Sequence, residues 1–196
     1  MCNDSHMART YHLKKRAERQ EETRRRIVEA AVDLHGTIGP ARTSVSAIAE
    51  RAGVQRHTYY RYFPDERSLG LACSGLYQER NPLPDPGPWR AISDPDTRLR
   101  RGLGELYEHY ERNEAMLSNV MRDAEVDPLV AELVELRFGP GMAEIRAALA
   151  RGRRSKRALA VLDVALAFTT WRMLTRDSGL DRPDAVRAMA AAVTCA

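Results

Sequence analysis

Cysteine, lysine and long hydrophobic runs are all scarce in this sequence of 196 residues. The three cysteines, Cys2, Cys73 and Cys195, lie far apart and form no CxxC pair, so we expect reduced thiols and no disulfide framework. No stretch approaches the ~18 consecutive apolar residues that a membrane-spanning helix needs, and no apolar signal core is seen near residue 1. The composition therefore argues against a secreted or membrane protein and predicts a cytoplasmic one.

Patterns typical of catalysis and of metal binding are also missing. Four of the five histidines lie in the first 60 residues without forming a pattern such as HExxH, and there is no GxGxxG or phosphate-binding loop. No Ser-His-acid or Cys-His set is recognisable. We therefore expect no catalytic residues, no metal site and no cofactor, and keep an enzyme only as a remote alternative.

Helical periodicity runs through the whole chain. Apolar residues recur three and four positions apart, as in Ile27, Ala31 and Leu34, and no segment alternates apolar and polar residues long enough for a strand. Gly139-Pro140-Gly141 predicts an interruption, and the segment 156–176 is apolar nearly all round, which predicts burial partly against a second subunit. The predicted helices span about 18–37, 45–52, 55–63, 67–79, 99–110, 116–121, 129–136, 142–149, 156–176 and 183–195.

The positive charge is concentrated in the first part of the chain. The net charge is +4; residues 1–80 hold 14 Lys and Arg against 10 Asp and Glu, and residues 81–196 hold 17 of each. A run of basic residues between Arg9 and Arg26 is the footprint expected of a phosphate-binding arm, with a solvated helix face as the alternative. Residues 1–7 resemble a cloning-derived leader, although a native start at Met1 is equally compatible.

The segment from Thr43 to Leu69, TSVSAIAERAGVQRHTYYRYFPDERSL, has the pattern of a helix-turn-helix. The hydroxyls of Thr43 and Ser44 are candidate caps for a short helix that ends at Gly53, where a left-handed backbone is accessible. A second short helix begins near Gln55. The predicted shared core consists of Val45, Ile48, Ala49, Val54 and Tyr59.

The second helix of this motif leaves polar and basic side chains free to face DNA. A helix fits the major groove with its first residues at the base edges, where Arg can read guanine through two hydrogen bonds. Hydroxyl groups reach phosphates, and insertion of the basic arm into the minor groove is a hypothesis. The candidate DNA-binding residues are Lys14, Lys15, Arg16, Thr43, Ser44, Ser46, Gln55, Arg56, His57, Thr58, Tyr60, Arg61, Tyr62 and Arg67.

This segment resembles the DNA-binding signature of the TetR family of bacterial transcriptional regulators. The shared elements are, in order, Thr-Ser-Val, Ile-Ala, Ala-Gly-Val, Thr-x-Tyr, a following aromatic pair, a Pro and a Leu. The rest of the chain agrees with the family only in helix count and size. The family usually has Ser-Lys-Gly where this chain has Gln55-Arg56-His57, which makes His57 a distinct candidate reader. It usually has Ser-Lys-Glu where this chain has Asp65-Glu66-Arg67, so a phosphate contact there would pass to Arg67.

The resemblance implies an all-α fold with an N-terminal helix-turn-helix DNA-binding domain and a C-terminal helical domain for ligand binding and dimerisation. We place a flexible basic arm at 1–17, the DNA-binding domain at 18–66 and the C-terminal domain at 67–196, with the five-proline segment 81–95 as a loop or linker. The expected partners are a palindromic double-stranded DNA operator, a second copy of the chain bound through its last two long helices, and a small hydrophobic or amphipathic effector. The expected role is that of a repressor released by this effector.

The effector cavity is expected among the C-terminal helices, although Met and aromatic residues at helical spacing are more often plain core. Candidate polar groups for orienting a ligand are His109, Asn119, Arg137 and Arg172. The alternative is a DNA-binding or protein-interaction protein that senses no ligand, and a cavity smaller than roughly 300 Å³ would favour it. The candidate ligand-binding residues are Trp89, Leu103, Tyr107, Tyr110, Met116, Val120, Met121, Leu133, Phe138, Met142, Phe168 and Trp171.

Overall fold

The computed structural model describes residues 4–196, with side chains from Lys14 onward, and this part of the chain is helical without a strand. The predicted all-α fold is confirmed. The helices are α1 (Asp4–Thr37), α2 (Val45–Ala52), α3 (Arg56–Tyr62), α4 (Glu66–Arg80), α5 (Pro95–Arg112), α6 (Glu114–Ala124), α7 (Pro128–Ala150), α8 (Lys156–Leu166), α9 (Phe168–Arg172) and α10 (Arg182–Thr194). Short 3₁₀ turns add Pro40–Arg42 and Pro88–Ala91, and a π-helical turn, Met173–Asp177, follows α9.

The N-terminal core lies between the second half of α1 and helices α2, α3 and α4. Ile27 and Ala31 of α1 are fully buried against Ile48 of α2 and Tyr59 of α3. Cys73 of α4 belongs to the same cluster, so α4 is attached to helices α1–α3, the predicted DNA-binding unit, as well as to the helices that follow it. The α1 helix begins at Asp4 and not near residue 18, so residues 4–17 of the expected arm are helical.

The C-terminal core surrounds α5, which packs against α7, α8 and α10. Helix α5 buries a continuous apolar face, because its apolar residues recur at helical spacing. The proline-rich segment is held to this core: Trp89 is buried, and its Nε1 donates to Oε2 of Glu105 at 3.0 Å. Arg98, also buried, donates to the backbone carbonyls of Ile92 and Arg151.

The predicted interruption at Gly139-Pro140-Gly141 is wrong, because α7 continues through Pro140 to Ala150. A proline inside a helix removes one backbone hydrogen bond, here the one to the carbonyl of Leu136. Leu136 lies on the exposed side of the helix. Packing of α7 against α4, α5, α6 and α8 stabilises the helix on both sides of the proline, and most helical stability in proteins comes from such packing.

The single helix predicted for 156–176 is also wrong, because the chain bends by 67° at the break between α8 and the segment that begins at Phe168. The break releases backbone carbonyls from the helix. Tyr107 donates its hydroxyl to the carbonyl of Ala165 at 2.9 Å, and Tyr110 donates to that of Leu166 at 2.5 Å. Two buried tyrosines of α5 therefore satisfy the carbonyls that the bend exposes.

Within the described residues, no single helix is both long and apolar enough to cross a membrane. The bent pair Lys156–Leu166 and Phe168–Asp177 meets the length and composition criteria only when its two parts are taken together.

The junction between the two cores is made by polar contacts from α6 as well as by α4. Asn119 donates through Nδ2 to the carbonyls of His35 and Gly36 at the end of α1, at 3.1 and 2.9 Å. The buried carboxylate of Asp123 accepts the backbone N–H of Ala41 at 3.0 Å. The C-terminal end of α1 and the turn after it are therefore fixed to the C-terminal domain.

Candidate nucleic-acid interface and ligand cavity

The α2–α3 unit has the geometry of a helix-turn-helix. Ser44 caps α2, as predicted, by accepting the backbone N–H of Ala47 on its Oγ at 3.2 Å. Gly53 ends α2 in the left-handed region, at φ 65° and ψ 40°, which glycine adopts without a steric penalty. Val54 then donates its N–H to the carbonyl of Ala49 at 2.9 Å and closes the turn, and α3 begins at Arg56.

A small aromatic core fixes the orientation of α3. Tyr59 and Phe63 are almost fully buried, with ring centroids 6.1 Å apart, and the guanidinium of Arg24 lies 5.4 Å from the Phe63 ring centre. Val45 and Val54 pack against this cluster. The predicted shared core of the two short helices is confirmed.

The opposite face of α3 is exposed and carries most of the predicted base-reading residues. Gln55, Arg56 and His57 are all exposed at its start, and Arg56 and His57 have no carboxylate within ion-pair distance among the described residues. Thr58 and Tyr62 are partly buried, whereas Tyr60 and Arg61 are exposed. These side chains form one surface of mixed donors and acceptors, the kind of surface that can pair with base edges and phosphates.

Aromatic contacts organise this surface. The Tyr60 ring, 46% exposed, meets the buried Tyr59 ring edge-on at 5.3 Å. Arg61 lies 5.1 Å from the ring centre of Tyr62 and donates to its hydroxyl at 3.3 Å. A guanidinium held against an aromatic face loses less conformational entropy when it binds a phosphate.

The remaining candidate DNA contacts have different surroundings. Lys14, Lys15 and Arg16 are exposed on α1, and the side chains before Lys14 lie outside the described residues. Ser46 is exposed in the first turn of α2, while Thr43 donates its hydroxyl to the Gly39 carbonyl at 2.7 Å. Arg67, near the start of α4, forms an ion pair with Glu132 of α7.

A cavity of about 310 Å³ lies between the DNA-binding unit and the C-terminal helices. Its walls come from α1, α2, α3, α4, α6 and α7. Four candidate ligand-binding residues of the C-terminal domain line it: Met116, Val120, Leu133 and Phe138.

The other candidate ligand-binding residues belong to the close-packed C-terminal core. Met121 and Met142 pack against that core from its edge. Six large side chains are buried inside it, which are Trp89, Leu103, Tyr107, Tyr110, Phe168 and Trp171.

Sequence reasoning missed the cavity wall that the DNA-binding unit contributes. Val45 and Ile48 of α2 and Tyr59 of α3 all line it, as do His35 of α1 and Cys73 of α4. Their spacing is that of ordinary core residues, so nothing in the sequence distinguishes them from the rest of the core. Because α2 and α3 form part of the cavity wall, a bound molecule would touch α3, the predicted recognition helix, and α2, which packs against it.

Of the four candidate polar groups, only Arg137 lines the cavity. Asn119 binds the carbonyls at the end of α1, and Arg172 is exposed. His109 is buried beside Asn113, and burial lowers the pKa of His109, with the nearby Arg112 adding to the effect.

Two further titratable groups line the cavity and are both neutral near pH 7. Burial lowers the pKa of His35 to about 4, partly offset by the Asp123 carboxylate, and burial raises the pKa of the Cys73 thiol to about 11. The His35 Nδ1 and Cys73 Sγ atoms are 3.7 Å apart. A thiol with a raised pKa is a poor nucleophile. Among the residues that the structure describes, no group of three or more His, Cys, Asp or Glu could hold a metal ion.

Comparison with known proteins gives the same assignment as the motif. The sequence profile of the bacterial regulatory proteins, tetR family, matches residues 27–73. The chain is 33% identical over 106 residues to the HTH-type transcriptional repressor KstR of Mycolicibacterium smegmatis, covering 54% of this chain and 52% of the relative. It is 32% identical over 136 residues to the KstR of Mycobacterium tuberculosis, covering 65% and 61%. The chain thus spans between about half and three fifths of the length of these relatives.

Solved structures share the fold over nearly the whole chain. A tetR-family transcriptional regulator from Streptomyces coelicolor superposes with a TM-score of 0.61 at 23% identity, covering 89% of this chain and 80% of that one. The hemolysin II transcriptional regulator HlyIIR superposes with a TM-score of 0.63 at 20% identity, covering 86% and 97%. Motif, helix order and relatives agree: residues 27–73 match the TetR family of bacterial regulatory proteins, and the chain shares the fold of a solved regulator of that family.

Proposed function

We propose that the protein is a transcriptional repressor that binds a palindromic DNA operator as a homodimer and leaves it when a small molecule occupies the cavity between its domains. The observation that carries this proposal is the exposed face of α3, which presents Gln55, Arg56 and His57 from a capped helix-turn-helix. We propose that it acts on DNA in the bacterial cytoplasm and catalyses no reaction. A two-fold dimer places two such helices on half-sites about one helical turn, ~34 Å, apart.

The position of the cavity supports a ligand-sensing mechanism. Its volume, about 310 Å³, lies just above the size below which small-molecule sites are uncommon, roughly 300 Å³. Its walls include Ile48 and Tyr59, whose packing sets the orientation of α3. A ligand that favours a different α2–α3 position would change the spacing of the two DNA-binding heads, and a difference of a few kcal/mol in operator affinity is enough to switch occupancy.

The junction at α6 supplies a second route between cavity and DNA-binding unit. Met116 and Val120 of α6 line the cavity, while Asn119 and Asp123 of the same helix bind the end of α1 and the turn after it. A shift of α6 on ligand binding would therefore move α1, against which α2 packs.

The test is a titration of the purified protein against a labelled fragment of its own upstream DNA, at two salt concentrations and with unrelated competitor DNA present. We expect tight binding that survives the competitor, with two subunits or a multiple of two per site. Removal of residues 1–16 should reduce the dependence of affinity on salt, since each lost phosphate contact lowers the slope by about one. Binding that the competitor abolishes on every fragment of neighbouring DNA would contradict the proposal, because only the sequence-independent electrostatic attraction would then remain.

A further inference from the structure

The wall of the cavity between the domains combines many apolar side chains with two carboxylates and one guanidinium. Helices α4 and α7 flank it and run in the same direction, since Arg67 pairs with Glu132 near their starts and Arg137 binds Ser74 further along both. Glu66 and Asp127 line the cavity at the starts of α4 and α7, and Arg137 lines it further along α7. Ten residues of helix separate Asp127 from Arg137, a distance of about 15 Å along α7.

Arg137 is held in place by α4 but lacks a counter-ion. Its Nε donates to Oγ of Ser74 at 3.1 Å, and its Nη2 donates to the carbonyl of Leu71 at 2.8 Å. No described carboxylate lies within 4.0 Å of its guanidinium, and Nη1 has no hydrogen-bond partner among the described residues. Arg stays charged at any physiological pH, so the cavity wall contains a partly buried cation with no carboxylate beside it among the described residues.

Among the described residues that line the cavity, Arg137 is the one Arg or Lys. His35 is neutral near pH 7, because burial lowers its pKa to about 4, and the remaining nearby wall is formed by side chains such as Phe138 and Val134. At the start of α7, Asp127 already caps the helix by accepting the N–H groups of Leu129 and Val130. The two carboxylates at the starts of α4 and α7 would repel an anionic group and leave it to Arg137.

We propose that the cavity binds an anionic amphiphile, with its carboxylate on Arg137 and its apolar part extending toward Ile48 and Tyr59. This proposal rests on the proposed function, since it names the chemical class of the effector. An Arg side chain with one edge fixed and another free is suited to a carboxylate, and charge-assisted hydrogen bonds of this kind are about twice as strong as neutral ones. The apolar part fills the space beside the recognition helix, where it can change the packing of α3.

The test compares three probes with the same ten-carbon chain, namely decanoate, 1-decanol and decylamine. Their binding to the wild-type protein is measured by isothermal titration calorimetry in the absence of DNA, below the concentration at which decanoate aggregates. We expect decanoate to bind about ten- to hundredfold more tightly than decanol, and decylamine to bind most weakly. Equal binding of decanoate and decanol, tighter binding of decylamine, or no binding of any probe would overturn the proposal.

Variants on α7 assign the preference to one side chain. Arg137→Gln removes the charge and should bring decanoate to the affinity of decanol, while Arg137→Lys, which keeps the charge, should retain part of the preference. Arg146→Gln is the matched control, because Arg146 lies on the same helix but pairs with Asp163 outside the cavity. A preference that survives Arg137→Gln, in a variant whose circular dichroism matches the wild type, would overturn the assignment.

Failure of this proposal and failure of the proposed function give different results. The probe titrations contain no DNA, and the operator titration contains no probe. A protein that binds its operator but not decanoate keeps the repressor function and loses the anionic effector. A protein that binds decanoate through Arg137 but no specific DNA keeps the ligand site and loses the repressor function.

Discussion

Some side chains of α3 are buried and fix the helix in place, whereas others are exposed on its outer face. Tyr59 is 2% exposed and packs on Phe63, so it fixes the rotation of the helix about its axis. Arg56 and Tyr60 lie on the same short helix but belong to its exposed surface. Substitution of an outward residue should therefore change DNA binding without changing folding.

Arg56→Ala is expected to weaken operator binding by about 1–3 kcal/mol if Arg56 reads a base, and to relax the sequence preference at one position of each half-site. The physical reason is the loss of hydrogen bonds to a base edge. Affinities for the operator and for single-position variants of it, measured by fluorescence anisotropy, check this. Arg154→Ala is the control, since it removes the same charge from the exposed loop between α7 and α8. An equal loss on every DNA sequence would identify a phosphate contact instead.

His35 should make stability depend on pH. Burial lowers its pKa from 6.5 to about 4 in the folded protein, so below pH 6.5 the unfolded chain takes up a proton that the folded chain refuses. The stability that depends on a neutral His35 is therefore fully present above pH 6.5. As the pH falls from 6.5 toward 4, the free energy of unfolding decreases by at most about 1.4 kcal/mol per pH unit. Urea unfolding between pH 7.5 and 5 measures this slope.

His35→Gln isolates this contribution from that of the buried His109, which is present in both proteins. The variant should lose less stability than the wild type between pH 7.5 and 5, whatever its stability at pH 7.5. Parallel pH profiles for the two proteins would contradict the assignment to His35.

At the scale of elements, the turn after α1 depends on Gly39. Its φ is +95°, and a Cβ there would collide with the Arg122 guanidinium and the Asp123 carboxylate. Gly39→Ala should cost roughly 2–5 kcal/mol, from backbone strain and from displacement of these side chains. The urea midpoint of unfolding measures the loss.

Two other glycines separate the causes of this loss. Gly179 has a φ of +72°, and no atom lies within 4 Å of the position that a Cβ would take, so Gly179→Ala should show the strain alone, about 1–2 kcal/mol. Gly104 lies in α5 with equally open surroundings and an ordinary helical backbone, so Gly104→Ala should stabilise by roughly 0.5–1 kcal/mol. A Gly39→Ala loss no greater than that of Gly179→Ala would show that the α6 contact tolerates the change.

Elements whose ends depend on local chemistry were predictable from the sequence, and those that depend on distant packing were not. Ser44 caps α2 and Gly53 ends it through bonds to residues a few positions away. The continuation of α7 through Pro140 and the break before Phe168 depend instead on contacts with other helices. A proline and an apolar run in the sequence give no sign of partners that lie far away along the chain.

At the scale of the whole molecule, the helix-turn-helix surface was predictable and the cavity was not. The recognition surface is one short segment whose motif specifies it. The cavity is assembled from six helices, and its DNA-binding wall looks like core in the sequence. Arg67 shows the same limit: its motif position predicts a phosphate contact, and nothing in the motif indicates that the fold places it beside Glu132 of α7.

A test of dimerisation needs a substitution at a residue that is exposed in the single subunit. Trp171 is unsuitable because it is 1% exposed within one subunit, so its replacement by Asp would unfold that subunit. Val164 of α8 is 54% exposed, on one of the helices that we propose to pair. In a two-fold dimer, the interface would bury one introduced carboxylate of Val164→Glu from each subunit. Because these charges would have no partner, we expect dimerisation to weaken at least ~100-fold. Sedimentation velocity over a range of concentrations measures it. Leu136→Glu, on exposed α7 surface, should remain dimeric, and unchanged dimerisation of Val164→Glu would exclude this α8 face from the interface.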